Sequence, residues 1–281
     1  MTHAEMFPVS QKDVDAYNRD GVVMLKGVLN DHWLGVLEAG VALDIEEPSA
    51  RKRDWVNDDA NHFFVDAVTV PHNPHFERYM LGSPLGSIAA GMMDLAAACA
   101  FYTTIFVRSP GTQSHTPWHQ DQTYWCAEGR QALSIWTCLD PVPAGTELEF
   151  VRGSHLWDRP LAKPHFAQDH LGGEMDVGDA EFMTVPNFSG ADRDRYEFLR
   201  WPMDPGDVLV FHGMTVHGGS GDLPAGLWRR SISAQWLGED ARITTRPGGC
   251  IPDLLPEFAS NGIVVGDHPA CAMCPTVTAA I

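Results

Sequence analysis

No stretch of the 281 residues approaches the length of a transmembrane helix. The opening segment, Met1 to Pro8, lacks the basic stretch and apolar run of a secretory signal, so a cytoplasmic location is expected. Basic residues are scarce: 19 Lys and Arg stand against 37 Asp and Glu, a formal net charge of −18. Such a field repels phosphate backbones and anionic headgroups, which argues against nucleic-acid and membrane partners. Low-complexity blocks and internal repeats are also missing, so disorder is expected only near the ends. With 44% hydrophobic residues the chain can bury a substantial core, and one domain spanning 1–281 is the natural expectation.

Zinc signatures are equally thin. The six cysteines, Cys99, Cys126, Cys138, Cys250, Cys271 and Cys274, are dispersed and read as free thiols. His268, Cys271 and Cys274 cluster near the end, but no second CxxC completes a four-ligand site, and a flexible Ala-rich tail is expected there. No HExxH is present.

What is present changes character along the chain. Val14 and Tyr17 lie one helical turn apart, Gly21 to Lys26 is a compact apolar strand candidate, and Asn30 caps a helix carrying Trp33, Leu34, Leu37 and Val41 on one face. Residues 48–75, rich in charge, Asn, His and Pro, read as a long irregular region. Ser83-Pro84 opens a second helix with Leu85, Ile88, Met92 and Leu95 at helical spacing. After Cys99 the pattern turns to short strands bounded by Gly, Pro and Asp: Phe101 to Val107, Leu133 to Leu139, Leu148 to Val151, Val208 to His212 and Arg230 to Trp236. The expected class is mainly β with flanking helices, a double-sheet jelly roll. Its divisions are an N-terminal helical and mixed extension over about 1–98, a jelly-roll core over about 99–240 and a C-terminal tail over 241–281. The polar segment 164–200 reads as an excursion over the barrel mouth.

Three motifs carry chemistry. In Pro117-Trp-His119-Gln-Asp121, two metal-binding side chains stand two apart, and on a strand both would reach one ion. The segment from Pro205 to Gly219 runs through an apolar strand to His212 and then His217-Gly-Gly, placing an imidazole at a strand end with room for a ligand. One histidine from here plus the HxD pair makes two imidazoles and one carboxylate, a facial triad that leaves positions open, as an Fe(II) oxygenase requires. Arg229 and Ser231 then share a strand face, a planar fork plus a hydroxyl suited to the distal carboxylate of a keto acid. Adjacent Arg230 faces the other way and reads as a surface arginine.

The order HxD, Gly153-Ser-His155, a strand ending in His-Gly and then Arg-x-Ser resembles the phytanoyl-CoA dioxygenase family over roughly residues 10 to 240. The resemblance implies a double-stranded β-helix (a cupin-like jelly roll) forming a single catalytic domain. It implies an enzyme that uses Fe(II), 2-oxoglutarate and O2 to oxidise, most simply hydroxylate, a C–H bond of a small organic substrate, with succinate and CO2 as co-products. His119, Asp121 and His217 match its iron ligands, Arg229 its distal-carboxylate arginine, and Trp136 its pocket aromatic. Thr116 stands where several relatives carry Gln, at the proximal-carboxylate contact. The chain also departs from the family at Ala144-Gly-Thr146 and at Arg152 before Gly153. Asp121 argues against halogenation, which needs a small residue there. His115, His155 and His212 are expected to be structural. Trp118, Tyr124 and Trp125 suggest an apolar or ring-bearing substrate. The rival readings are a zinc hydrolase using the same triad and a cupin-like binding protein without turnover.

Overall fold

The computed structural model describes residues 5–56, 62–112, 115–163, 182–219 and 222–278. Helix α1 (Gln11–Asp20) begins at Ser10, whose hydroxyl accepts from the Asp13 amide in a capping box, and ends at Gly21 in the left-handed region. Strand β1 (Val22–Leu25) leads to α2 (Asp31–Glu46), capped by Asn30 through the Trp33 amide. Next come β2 (Arg53–Val56), β3 (His62–Thr69), α3 (Pro74–Gly82), with Pro74 at its first position, and α4 (Leu85–Met92).

The β-rich part comprises β4 (Ala97–Arg108), β5 (Thr116–His119), β6 (Ala127–Glu128), β7 (Ala132–Cys138), β8 (Glu149–Val151), β9 (Phe198–Leu199), β10 (Val208–His212), β11 (His217–Gly219), β12 (Arg229–Leu237) and β13 (Arg242–Ile243). Helix α5 (Leu255–Ser260) and β14 (Thr276–Thr278) follow. The larger sheet runs β1-β10-β7-β12-β4-β3-β2, and the smaller, which faces it, runs β5-β11-β8-β9. All these pairings are antiparallel, the jelly-roll arrangement expected.

Strand alternation separates two environments. Leu133, Ile135, Val208, Val210, Ile232 and Ala234 point outward and pack with Leu37, Phe76, Tyr79 and Ile88 from the helices. Trp136, Cys138, Leu209 and Phe211 point inward, where Phe150 of the smaller sheet meets them. Burying a side chain such as Leu37 or Ile88 contributes on the order of 2 kcal/mol. The helices therefore brace the back of the sheet and leave its inner face for other uses.

Three expectations need correction. The region 48–75 is not irregular throughout, because it contains β2 and β3, and β3 pairs with β4 along its whole length. Its helix-facing positions, Phe64, Asp66 and Val68, do alternate, but a fully buried carboxylate among them hides the pattern. Asp66 is accommodated by the amide and hydroxyl of Ser49 at 2.6 and 2.5 Å. In 164–200, residues 164–181 lie outside the described residues. The remainder is no polar excursion, since Phe188 is fully buried and β9 pairs with β8. The segment 241–278 is built in rather than loose. β14 pairs with β4 just beyond the end of β3, and Met273, Cys274 and Val277 are buried. The six cysteines are free thiols. No described helix is long and apolar enough to cross a membrane.

Candidate metal centre and co-substrate pocket

Among the described residues, one group of three could hold a metal ion: His119, Asp121 and His217, whose ligand atoms lie within 4.8 Å of one another. Its geometry comes from strand pairing. β11 and β5 run antiparallel with His217 directly opposite His119, and their rings stand 4.3 Å apart. The expected placement of both HxD residues on one strand fails at the second. His119 ends β5, and Asp121 opens a single 3-10 turn, Asp121–Thr123. The chain's bend, not strand alternation, brings the carboxylate round. Gln120 fixes that bend by donating to the Met214 carbonyl at 2.8 Å and accepting from the Leu161 amide at 2.7 Å.

Both imidazoles are held in one tautomer. His119 donates through Nδ1 to the Pro117 carbonyl at 2.7 Å, and His217 does so to the Thr215 carbonyl at 3.0 Å. Each Nε2 is thereby left as a lone pair aimed at Asp121 Oδ1, at 3.2 and 3.6 Å. Two ligands at right angles about a first-row ion, each at roughly 2.1 Å, are separated by about 3 Å, so the set needs only a slight contraction. Ser134 on β7 donates to Asp121 Oδ2 at 2.7 Å, which orients the carboxylate and leaves Oδ1 inward. Burial, with His119 nearby, pushes the His217 imidazole down to about 4, which keeps it neutral and able to ligate. Burial raises the Asp121 carboxyl, but His217, His119 and Ser134 outweigh it and its net shift is downward. Phe150 stacks on His217 at 5.5 Å and Phe211 lies 4.7 Å from it, so this wall of the site is dry.

Gly21 ties the helical layer to this centre. It sits at φ +83°, and a Cβ there would lie 2.5 Å from both His155 Nδ1 and Thr215 Oγ1. Thr215 Oγ1 donates to the Gly21 carbonyl at 2.7 Å, fixing the turn that delivers His217.

Arg229 and Ser231 point inward, as their shared face implied, with Ser233 and Gln235 continuing the buried polar row. Arg229 is 6% exposed, and it donates to the Thr146 carbonyl and hydroxyl, both at 2.7 Å. Its Nε has no hydrogen-bond partner, and no carboxylate pairs with it among the described residues. Desolvation lowers its pKa. An orphaned buried donor on an unpaired guanidinium fits an anionic ligand. Arg230, on the opposite face, is bound to Asp140 at 2.7 Å. Trp136 faces inward on the same side as Ser134, opposite Ser233 of β12. Thr116 joins this face through a bulge: between paired positions, β11 advances from His217 to Gly219 while β5 runs from His119 to Thr116.

The other candidates separate cleanly. His212 donates from Nε2 to the Arg130 carbonyl and accepts from the Met214 amide; His155 donates to the Asn18 carbonyl; His115 is exposed. His268 is likewise occupied, by Gly238 and Ala270. Of the three aromatics, Trp125 is a core residue against Phe101 and Tyr102, whereas Tyr124 sits edge-on 5.9 Å from His119. Trp118 packs with Phe188 and Phe198. A groove of about 400 Å³ lined by Tyr17, His155, Trp157 and His212 lies outside the barrel behind β10, away from the triad. Ser134 was missed from sequence. Ser134 was legible as the lone hydroxyl between apolar Leu133 and Ile135 on a strand whose partner row is polar.

The family model described as phytanoyl-CoA dioxygenase (PhyH) matches residues 17–231. No curated protein sequence matches the chain. Among solved structures, it is similar to the non-heme alpha-ketoglutarate-dependent carbocyclase SnoK from nogalamycin biosynthesis, at 21% identity and TM-score 0.72, covering 96% of this chain and 97% of that one. The epimerase SnoN, crystallised with Fe3+, alpha-ketoglutarate and nogalamycin RO, matches at 20% identity and TM-score 0.69 over 95% and 97%. EctD from S. alaskensis, crystallised with 2-oxoglutarate and 5-hydroxyectoine, matches at 17% identity and TM-score 0.61 over 90% and 85%. At these identities the structural likeness establishes the fold.

Proposed function

Because this chain belongs to the phytanoyl-CoA dioxygenase family and is an Fe(II)- and 2-oxoglutarate-dependent oxygenase, we propose that His119, Asp121 and His217 hold its iron and Arg229 its co-substrate. The observation that carries this reading is the pair of imidazoles turned by their Nδ1 hydrogen bonds so that both Nε2 lone pairs meet Asp121 Oδ1. When bound, iron with 2-oxoglutarate supplies the activation of dioxygen for C–H oxidation, with succinate and CO2 as co-products.

The chain's own residues divide the remaining work. The triad would take one face of an ion and leave other positions for co-substrate and dioxygen. Ser134 holds Asp121 in register for the metal. Arg229 and Ser231 receive the distal carboxylate, with Trp136 and Thr116 along the same inner surface. Phe150 and Phe211 exclude water beside His217, which strengthens every polar contact inside. No acid–base pair is needed, and none is assigned.

The substrate is a small organic molecule with an apolar or ring-bearing body, and the reaction is hydroxylation. Tyr124, edge-on 5.9 Å from His119, and Phe150 and Phe211 beside His217 support this, because they line the metal centre with aromatic rings. The presence of Asp121 supports hydroxylation over halogenation. The test is a panel of ring-bearing and acyclic compounds incubated with Fe(II), 2-oxoglutarate and O2, with succinate and product mass both read. Ring-bearing compounds should stimulate succinate and gain one oxygen atom. Stimulation confined to small polar acyclic compounds would contradict the substrate class, and products that only lose two hydrogens would replace hydroxylation with desaturation.

A further inference from the structure

The tail segment His268-Pro-Ala-Cys271-Ala-Met-Cys274 has no part in the metal centre, yet the fold carries it to a third cysteine. β14 pairs with β4 so that Thr276 lies directly opposite Cys99. The Ala100 amide extends this ladder by one residue, donating to the Pro275 carbonyl at 2.9 Å. Cys274 stands two residues before Thr276 and so comes to the same face. Cys99 and Cys274 are both buried, in one cluster with Phe101 and Phe258. Cys99 Sγ lies 3.5 Å from Thr276 Oγ1, and the Cys274 thiol donates to Cys99. Cys271 and Cys274 exchange two backbone hydrogen bonds, at 3.2 and 3.1 Å, across the turn Ala272-Met273. Residues paired in this way have Cα atoms about 5.5 Å apart, within the span of a disulfide. Cys271 is only half-buried, so it is the member that solvent reaches.

These sulfurs are not a second metal site, because among the described residues only His119, Asp121 and His217 gather closely enough to share an ion. Their chemistry differs along the row instead. Cys274, then Thr276 and His268, outweigh burial and hold the Cys99 thiol down to about 6, which makes it a thiolate near neutral pH. Burial and then Cys99 push the Cys274 thiol well up, so it keeps its proton. Burial also pushes Cys126 and Cys138 up to about 12, which leaves them inert. The row therefore runs from an accessible thiol, through a protonated one, to a buried nucleophile.

We propose that Cys271, Cys274 and Cys99 form a thiol–disulfide relay that accepts oxidising equivalents from a small-molecule disulfide and ends by bonding Cys274 to Cys99, fastening the tail to β4. Cys271, as thiolate, attacks one sulfur of the incoming disulfide and releases the first thiolate. Cys274 gives up its proton to that thiolate, attacks Cys271 Sγ and displaces the second. The Cys99 thiolate then attacks Cys274 Sγ, and Cys271 leaves as a thiolate, ready for another exchange. The net change is one external disulfide reduced to two thiols and two protein thiols oxidised to one disulfide.

The test uses the full-length protein, reduced and kept anaerobic, then exposed to glutathione disulfide. Acid quenching, alkylation and peptide mapping by mass spectrometry read the outcome. Wild type should lose two of its six thiols and yield a Cys99–Cys274 linked peptide, with Cys126, Cys138 and Cys250 still alkylated. The oxidised form should melt roughly 5–10 °C higher. Cys271→Ser should reach the same bond about tenfold more slowly, and Cys99→Ala should stop at a Cys271–Cys274 bond. Wild type that keeps all its thiols, or that holds glutathione on Cys271 with no internal bond, would overturn the relay. A final Cys271–Cys274 bond in wild type would overturn the inward transfer, and wild-type speed in Cys271→Ser would overturn the point of entry. An oxidised form that melts no higher would overturn the fastening. The wild-type map decides the relay and its end point even where a variant does not fold.

Discussion

Replacing Arg229 and Arg230 in turn should split affinity from stability. The two are neighbours in sequence, yet they face opposite sides of β12. Arg229 is desolvated, lacks a carboxylate partner among the described residues and keeps one donor orphaned. In the ligand-free protein it contributes little, since its two bonds to the half-buried Thr146 are replaceable by water. Arg229→Met should therefore leave ligand-free stability within about 1 kcal/mol of wild type. With co-substrate present, the same change removes a buried charge-assisted pair worth roughly 2–5 kcal/mol, or about one and a half to three and a half decades in dissociation constant. Arg230 holds Asp140 through three side-chain contacts and one backbone amide bond. Its side chain is 33% exposed, so Arg230→Met should cost about 1 kcal/mol of stability after solvent screening, with 2-oxoglutarate binding unchanged. Anaerobic titration calorimetry and thermal melts of the two variants read both quantities. Equal losses of affinity, or a larger one from Arg230→Met, would refute the assignment of the inward arginine.

Two further outcomes follow from the same geometry. Ser134→Ala removes the hydroxyl that holds Asp121 Oδ2, so Fe(II) affinity should fall by roughly 10–100-fold with the fold intact, as read by competition with a chelator. Acidification should destabilise the metal-free protein. Burial depresses both His212 and His217 to about 4, below their ordinary value of 6.5. The unfolded chain takes up protons first, so stability is full above about pH 6.5, declines as pH falls and levels off near pH 4. Each histidine accounts for about 3 kcal/mol across that window, opposed by Asp44, whose burial raises its carboxyl to about 7; denaturant titrations of His212→Gln should therefore show the loss between pH 7 and 4 reduced by about 3 kcal/mol, and an unchanged profile would contradict the neutral burial of His212.

Much of the β-core was legible because its strands obey alternation between two distinct environments. Arg229, Ser231, Ser233 and Gln235 form a polar row opposite Arg230, Ile232 and Ala234, and the structure keeps that division. The strands around the site were hidden where chemistry overrides the pattern. Asp66 in β3 occupies a helix-facing position as a fully buried carboxylate served by Ser49, so the segment reads as irregular. Asp121 reaches the triad through a turn rather than a strand, although the HxD spacing found the right residues for a different local reason. Ser134 depends on long-range register, through its contact with Asp121. Local sequence carries no record of which strand lies next to which. The ordered C-terminal segment was missed for the same reason, since β14 finds its place only against the edge of β4 that β3 leaves free.

The central claim is that His119, Asp121 and His217, and no other histidine, make the iron site. Anaerobic Fe(II) binding measured on wild type, His119→Ala, Asp121→Ala, His217→Ala and His212→Ala tests it most directly. One equivalent of iron should bind the wild type and His212→Ala alike, and each triad variant should lose binding while retaining its circular dichroism spectrum. Retained iron in His217→Ala together with loss in His212→Ala would contradict the account.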